Sequence, residues 1–323
     1  MSTSPHPEPR VVAVVVAYNR RDLLVQTLDG LQGQTRPVDA VVVVDNASTD
    51  GSGDVAAAHP LAADVVTLSR NTGGAGGFAA GIAHALQAHG ADLVWIMDDD
   101  TVPTGTALLE LLLARQAYPG DPAVLASRVV WTDGRDHPMN TPRPRPGVRA
   151  RLAARARSAG AVQVRSASFV SLLLDARAVR TDGLPMAAYF IWNDDFEYSA
   201  RLLRRRVGLS VPSSVVRHLT KTFGSTDADP GERFYYEVRN KIWLFTRSRA
   251  LGPAGTVLYG GSTVVRWGRT ILKSSNRPVL LRAGARGFRD GLATRPDPTP
   301  AVLAGMGPVS DEVAAIERGA GRD

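Results

Sequence analysis

The sequence predicts an α/β fold: a mostly parallel sheet flanked by helices, with a helical extension at the C-terminal end. Three observations predict it. Short β-branched runs alternate with helical patterns over the first 130 residues. Those runs are continuously apolar, as in strands buried on both faces. Each is followed by polar or glycine-rich sequence, and in such sheets the carboxyl ends of the strands form the ligand edge.

Taken in order, Val11–Ala17 is a strand, too short for a helix. Asp22–Gln34 carries Leu23, Leu24, Thr27, Leu28 and Leu31 at helical spacing. Ala40–Val44 and Asp64–Leu68 are further strands, and Gly77–His89 is a helix. Leu93–Met97 is a fourth strand, Thr104–Tyr118 a helix and Ala123–Val130 another strand. Strands separated by such helices imply βαβ units. Trp131–Arg165, rich in Pro and Arg and then Ala and Arg, reads as a mobile connection with room for one short helix. Val164–Leu174 is a strand, Trp192–Arg206 a helix and Leu209–Pro212 a short strand. From Pro230 the pattern is helical, over Glu232–Arg249, Ala254–Ser274 and Pro278–Gly291. The expected organisation is a disordered lead at 1–10, an α/β domain over 11–225, a helical region over 226–295 and a flexible tail over 296–323.

The 323 residues are 44% apolar and 21% charged, which excludes collagen-like and wholly disordered chains. With no cysteine, disulfide scaffolds, thiolate zinc sites and a cysteine nucleophile are excluded. No run approaches eighteen apolar residues, so no transmembrane helix is predicted. The opening MSTSPHPEPR lacks a signal-peptide layout. The net charge of +7 hides an uneven distribution: residues 1–125 hold six basic and fourteen acidic side chains. Coding bias accounts for arginine outnumbering lysine, but not for the absence of Asp and Glu from 137–174 and 238–289. The second of these stretches holds eleven Lys or Arg. Mixed there with Leu, Val, Ile and Trp267, they make the composition of a helix lying on anionic lipid. No nucleic-acid motif accompanies the charge.

Asp98-Asp99-Asp100 closes the fourth strand in a D-x-D pattern. Adjacent carboxylates repel unless neutralised, and a divalent cation with oxygen ligands does this while leaving positions for phosphate. The plain alternative is an acidic turn ahead of a helix. After the second strand, Asp45-Asn46-Ala47-Ser48-Thr49-Asp50-Gly51 reads as an Asx-type turn or as a site where Asp45 meets a ribose or base. Gly74, Gly76 and Ala79 match G-x-G-x-x-A spacing, but after the third strand rather than the first. A glycine-rich turn there also lets backbone approach a sugar or diphosphate. Trp192-Asn193-Asp194-Asp195-Phe196-Glu197 opens a helix with more carboxylates than a cap needs, so one is a candidate general base. His218 follows a short strand and is a candidate metal ligand. Tyr235 and Arg239 share a helix face beside Tyr236 and Asn240, which suits phosphate binding or aromatic packing.

Together, over about residues 10–245, these segments resemble the inverting family 2 glycosyltransferases of the GT-A fold. The carrying motifs are Ala17-Tyr18-Asn19-Arg20, Asp45-Asn46-x-Ser48-x-Asp50 and the triple Asp. Arg70–Ala79 and Phe190–Tyr198 are most similar to actinobacterial galactofuranosyltransferases that initiate cell-wall galactan. The resemblance implies a UDP-galactofuranose donor and a polyprenyl-diphosphate-linked glycan acceptor. The enzyme would sit peripherally at the cytoplasmic face of the plasma membrane, against its anionic surface. It implies donor binding by Ala17, Tyr18, Asn19, Arg20, Asp45, Asn71, Gly73, Gly74, Asp98 and Asp99. It implies Mn²⁺ or Mg²⁺ on Asp100, Asp98 and His218, and acceptor binding by Trp192, Tyr236, Arg239 and Asn240. Asp195 would deprotonate the acceptor hydroxyl while Asp194 orients it. Trp192-Asn193 departs from the Trp-Asp-Asp order of galactan-elongating relatives, which leaves Asp194 and Asp195 both open as the base. A dTDP-rhamnose-dependent rhamnosyltransferase is the alternative within the class. A dehydrogenase leaves the triple Asp unexplained, and a non-catalytic sugar-nucleotide module predicts no activity for Asp195 to lose.

Overall fold

The valine-rich runs become the centre of one twisted sheet. The structure, a computed structural model, describes residues 8–220, 223 and 229–321. The expected lead therefore lies outside the described residues up to position 7. The first half alternates as expected: β1 (Val11–Ala17), α1 (Arg21–Gln32), β2 (Ala40–Asp45), α2 (Ser52–Ala58), β3 (Asp64–Thr67), α3 (Gly73–Gln87), β4 (Leu93–Asp98), β5 (Thr101–Pro103), α4 (Ala107–Ala117) and β6 (Val124–Val130). The rest is β7 (Arg143–Pro144), α5 (Ala150–Ser158), β8 (Val162–Ser166), β9 (Leu172–Asp175), α6 (Ala176–Asp182), α7 (Asp194–Leu203), β10 (Gly208–His218), α8 (Phe234–Thr246), α9 (Pro253–Lys273), α10 (Arg277–Ala293), α11 (Thr299–Val302) and α12 (Pro308–Gly319).

The strand order is β3-β2-β1-β4-β9-β6-β10-β8-β7, with β5 added on β10. β3, β2, β1 and β4 are parallel. β9 enters antiparallel between β4 and β6. One apolar layer packs α3, α7 and α12 on the sheet, and the other packs α1 and α4. Both faces of β1 and β4 are thus covered, which is why their sequence is continuously apolar. Glycine sets the α3 spacing: a Cβ on Gly77 or Gly81 would collide with Val16, or with Val14 and Val44.

Four expectations change. The single strand over Val164–Leu174 is two strands, because the chain leaves β8 at the sheet's far side and crosses to insert β9 at its middle. The short strand Leu209–Pro212 runs on to His218, through an irregularity between Val211 and Val215 that takes up Pro212. The third helix starts at Gly73, so the glycine-rich turn is its first turn. The flexible tail is instead two helices. Val309, Val313 and Ile316 repeat at helical spacing and are buried with α3. Glu317 accepts from the Leu184 N–H at 2.7 Å, and Thr299 Oγ1 donates to the Pro185 carbonyl at 2.9 Å.

In the helical region, Phe234, Val238 and Ile242 of α8 pack on Leu280 and Ala283 of α10. Gly287 and Gly291 of α10 bring the two backbones close. By contrast α9 buries only Thr263 and exposes Val257, Leu258, Val264, Val265 and Leu272. No helix among the described residues is long and apolar enough to cross a membrane.

The tight α3 seat makes a prediction. Gly81→Val should lower the unfolding free energy by about 2–3 kcal/mol, because the added methyls overpack Val14 and Val44. Urea unfolding followed by circular dichroism checks this, with an unchanged midpoint as the contrary result.

Candidate active site

The carboxyl ends of β1, β2 and β4 meet the end of β10 at one edge. After Asp98 the chain turns through Asp99 and Asp100 into β5, which pairs antiparallel with β10 so that Thr101 faces His218. His218 Nε2 comes to 3.1 Å from Asp100 Oδ1. Its Nδ1 lies 2.9 Å from Asn140 Oδ1, so Nδ1–H donates and Nε2 is turned to the carboxylates. One atom each from Asp98, Asp100 and His218 falls within 4.8 Å of the others. Asp100 Oδ1 is buried with no aligned hydrogen bond despite its closeness to the imidazole. An orphaned carboxylate oxygen, a second carboxylate and a converging imidazole nitrogen are the donor set of a divalent cation, and the residues fit one such as Mn²⁺.

The electrostatics point the same way. Burial pushes the Asp98 carboxyl up to about 6, helped by the charge of Asp100. Burial pushes Asp99 up to about 7, against the pull of Arg20 and the Tyr18 N–H. Burial would also raise Asp100, but His218 and Arg20 outweigh it and hold Asp100 below its usual value. Burial lowers His218, yet the Asp100 carboxylate outweighs that and keeps it above its usual value. Arg20 bridges Asp99 and Asp100. Asp99 Oδ2 accepts from the Tyr18 N–H at 2.9 Å, which pins the turn after β1.

The second wall is the turn after β2 and the start of α3. Asp45 Oδ1 accepts from the Ser48 N–H at 2.9 Å. Asn46 joins the two segments: its Oδ1 accepts from Thr72 N–H at 2.8 Å and its Nδ2 donates to the Gly73 carbonyl at 2.9 Å. Asn19 Oδ1 accepts from Thr49 N–H at 2.8 Å, and Asn71 Oδ1 accepts from Gly73 N–H at 2.7 Å. Gly73 has φ +69° and lies directly on the Phe190 carbonyl, where any Cβ would overlap.

The third wall is the segment before α7. Phe190, Trp192 and Asn193 all have positive φ, 65–66°, a strained run for residues with side chains. Helix α8 over-determines it. Asn240 is fully buried, and its amide donates to the carbonyls of Tyr189, Ile191 and Trp192, each at 2.9 Å. Arg239 donates to the carbonyls of Ala188 and Tyr189. Glu237 accepts from Asn193 Nδ2 at 2.8 Å and from Trp267 Nε1 at 3.2 Å. The clamped loop presents Asp194 and Asp195 toward the edge. Asp194 is buried close to Gly74, and burial, then Asp195, hold its carboxyl well above the ordinary range. Asp195 is only half-buried; burial raises it too, against the Phe196 N–H and the Lys241 charge. Buried Lys241 is itself lowered, chiefly by burial.

Most predicted site residues therefore meet at one edge: Tyr18, Asn19, Arg20, Asp45, Asp98, Asp100, His218, Asn71, Gly73, Gly74, Asp194 and Asp195. The other six are placed as follows. Ala17 is fully buried and gives its carbonyl to the Asn46 N–H, so it supports the edge without facing a donor. Asp99 spends its carboxylate on Tyr18 and Arg20. Asn240, expected at the acceptor, spends its amide on the carbonyls of the strained loop, and Arg239 also donates to that loop while lining a cavity with Asn71 and Tyr236. Tyr236 stacks on Phe190 at 5.2 Å, and Trp192 lies under the Arg233 guanidinium. Sequence reasoning missed Asn46, Asn140, Glu237 and Lys241. Asn46 stood in a quoted motif, and Glu237 and Lys241 flanked another; nothing local marked Asn140.

A parallel sheet with this acidic edge and a glycine-rich cradle is the GT-A architecture of sugar-nucleotide transferases. Residues 12–172 match glycosyl transferase family 2, and this part of the chain is a domain of that family. It is 36% identical over 200 residues to galactofuranosyltransferase GlfT1 of Mycolicibacterium smegmatis, covering 60% of this chain. The match spans 65% of that relative, just under two thirds. Among solved structures it resembles S. aureus TarS 1-349 in complex with UDP-GlcNAc. That likeness has TM-score 0.60 and 14% identity, over 96% of this chain and 90% of the other. It also resembles mannosyltransferase PcManGT from Pyrobaculum calidifontis in complex with GDP-Man and Mn²⁺. The TM-score is 0.53 at 18% identity, over 98% and 88% of the two chains.

The clamp yields a prediction. Asn240→Ala leaves the Ile191 and Trp192 carbonyls without their side-chain donor and should cost about 2–3 kcal/mol of stability. Urea unfolding measures it, and a cost below about 0.5 kcal/mol, as for an ordinary surface change, would remove the clamp role.

Proposed function

We propose that the chain is a metal-dependent inverting galactofuranosyltransferase. It takes galactofuranose from UDP-galactofuranose and passes it to a polyprenyl-diphosphate-linked glycan at the cytoplasmic face of the membrane. The observation that carries this reading is the convergence of Asp98, Asp100 and His218 with Asp194 and Asp195 at one sheet edge. The likeness to GlfT1 supports the choice of sugar.

Asp98, Asp100 and His218 would hold Mn²⁺ or Mg²⁺, which when bound neutralises the diphosphate of the leaving UDP. The turns at Tyr18–Arg20 and Asp45 hold the uridine portion, and the start of α3 holds the sugar side. Asp195, the more open of the adjacent pair, takes the proton of the acceptor hydroxyl. That oxygen then bonds to the anomeric carbon as the bond to UDP breaks on the opposite face, inverting it. Asp194 carries a raised affinity for protons and hydrogen-bonds the acceptor. Buried Lys241 keeps Asp195 from rising as far as its burial alone would take it.

The exposed apolar residues of α9 and α10, among them Val264, Leu272 and Phe288, stand in a stretch with eleven cations and no acid. This pairing supports docking on an anionic membrane surface, where the acceptor lipid resides.

Two experiments test the reading. Purified protein with Mn²⁺ and a synthetic polyprenyl-diphosphate disaccharide is offered UDP-galactofuranose, UDP-galactopyranose and dTDP-rhamnose, with products read by mass. Transfer from UDP-galactofuranose alone is expected, abolished by EDTA. Asp195→Asn should lower kcat by roughly 10²–10⁴ while UDP still binds. Transfer from dTDP-rhamnose would overturn the sugar, and metal-independent UDP binding without transfer would overturn the enzyme. Separately, Val264→Asp with Leu272→Asp should weaken sedimentation with phosphatidylglycerol vesicles at least about tenfold. Equal sedimentation would remove α9 as the docking face.

A further inference from the structure

At the opposite end of α3 from the reaction edge lies a second convergence of metal-ligating side chains. Asp64 opens β3, His84 stands in the last turn of α3, and His89 follows in the loop beyond it. His84 Nε2 and His89 Nε2 approach the same oxygen, Asp64 Oδ2, at 2.9 and 3.0 Å. The two rings meet edge to face with centroids 5.5 Å apart. The ligand atoms of all three side chains lie within 4.8 Å of one another. The other nitrogen of His84, Nδ1, is 3.0 Å from Glu312 of α12.

That last contact decides the chemistry. A neutral imidazole that donates Nδ1–H to Glu312 turns a lone pair at Nε2, and a lone pair 2.9 Å from a carboxylate oxygen repels it. Either His84 carries a second proton, or a cation stands between Nε2 and Asp64. His89 Nε2 faces the same oxygen from the other side, at 3.0 Å. One divalent ion would take a ligand from each ring and balance the charges of Asp64 and Glu312. A carboxylate that holds the far nitrogen of a ligating histidine is the usual outer support of such a site.

We propose that Asp64, His84 and His89 bind a divalent transition-metal ion of the zinc class, with Glu312 orienting His84. Two imidazoles and one carboxylate favour zinc-like ions over magnesium or calcium, which take oxygen sets. Ligand atoms around a tetrahedral zinc bonded at about 2.0–2.1 Å lie roughly 3.3 Å apart, so the observed 2.9 and 3.0 Å need only a few tenths of an ångström of opening. Water completes the coordination on the exposed side of Asp64. The ion ties β3 to the end of α3 and, through Glu312, fastens α12 to the donor half. The site stands apart from the metal at Asp98, Asp100 and His218 and is independent of the proposed reaction.

The test is a Co²⁺ titration of metal-free full-length protein, read by visible absorption, with Zn²⁺ as competitor. The wild type should show one tetrahedral Co²⁺ spectrum that Zn²⁺ displaces. Asp100→Asn, which disables the other metal site, should keep that spectrum, and His89→Ala should lose it. Glu312→Gln should weaken the binding by about 10–100-fold. Zn²⁺ should also raise the melting temperature of Asp100→Asn but not of the double variant Asp100→Asn with His89→Ala. Should His89→Ala misfold by circular dichroism, Asp64→Asn takes its place. An unchanged spectrum in His89→Ala, or a signal that disappears only with Asp100→Asn, overturns the proposal.

Discussion

Five carboxylates crowd one edge of the sheet, and much of the architecture answers that crowding. Asp98, Asp99 and Asp100 close β4, and Asp194 and Asp195 open α7 across from them. Burial raises the proton affinity of several of them. Arg20 reaches across from the turn after β1, His218 is brought in by the pairing of β5 with β10, and Lys241 stands behind Asp195. Among them, Asp98, Asp100 and His218 bring their ligand atoms together, an arrangement that suits a divalent cation.

The loop that presents Asp194 and Asp195 carries a run of strained backbone. Three residues with side chains hold positive φ within four positions. Such a run persists because α8 supplies donors and an acceptor at each point where it turns. The helical region is thus part of the site's construction. The Trp267–Glu237–Asn193 chain extends that construction to α9, the helix whose outer face is apolar and uncovered.

The candidate site was partly legible beforehand, and the pattern of success has a physical basis. The Asp98–Asp100 triplet and the Asp194-Asp195 pair were readable because adjacent acids are costly wherever they fold. Arg239 and Asn240 drew notice for their polarity on an aromatic face, but the carbonyls they serve lie about fifty positions earlier. Asn140 carries no local signal, because its contact with His218 spans seventy-eight positions. The tail from 296 read as loose from its Pro, Gly and Ala content, although the spacing of Val309, Val313 and Ile316 is helical. Composition misled there because a small-residue helix needs only one apolar stripe to be held.

What the sequence by itself determined is the set of elements and the edge at which chemistry is delivered. Apolar runs and helical spacing are local, and the ends of parallel strands share one edge wherever they fall in the chain. Tertiary structure alone decided the insertion of β9 between β4 and β6, the extension of β10 to His218 and the return of α12 onto α3. It likewise decided which polar groups face a ligand and which are spent on backbone. Those outcomes depend on pairings between distant segments. Their free energy comes from burial and hydrogen bonds that exist only once both partners are in place.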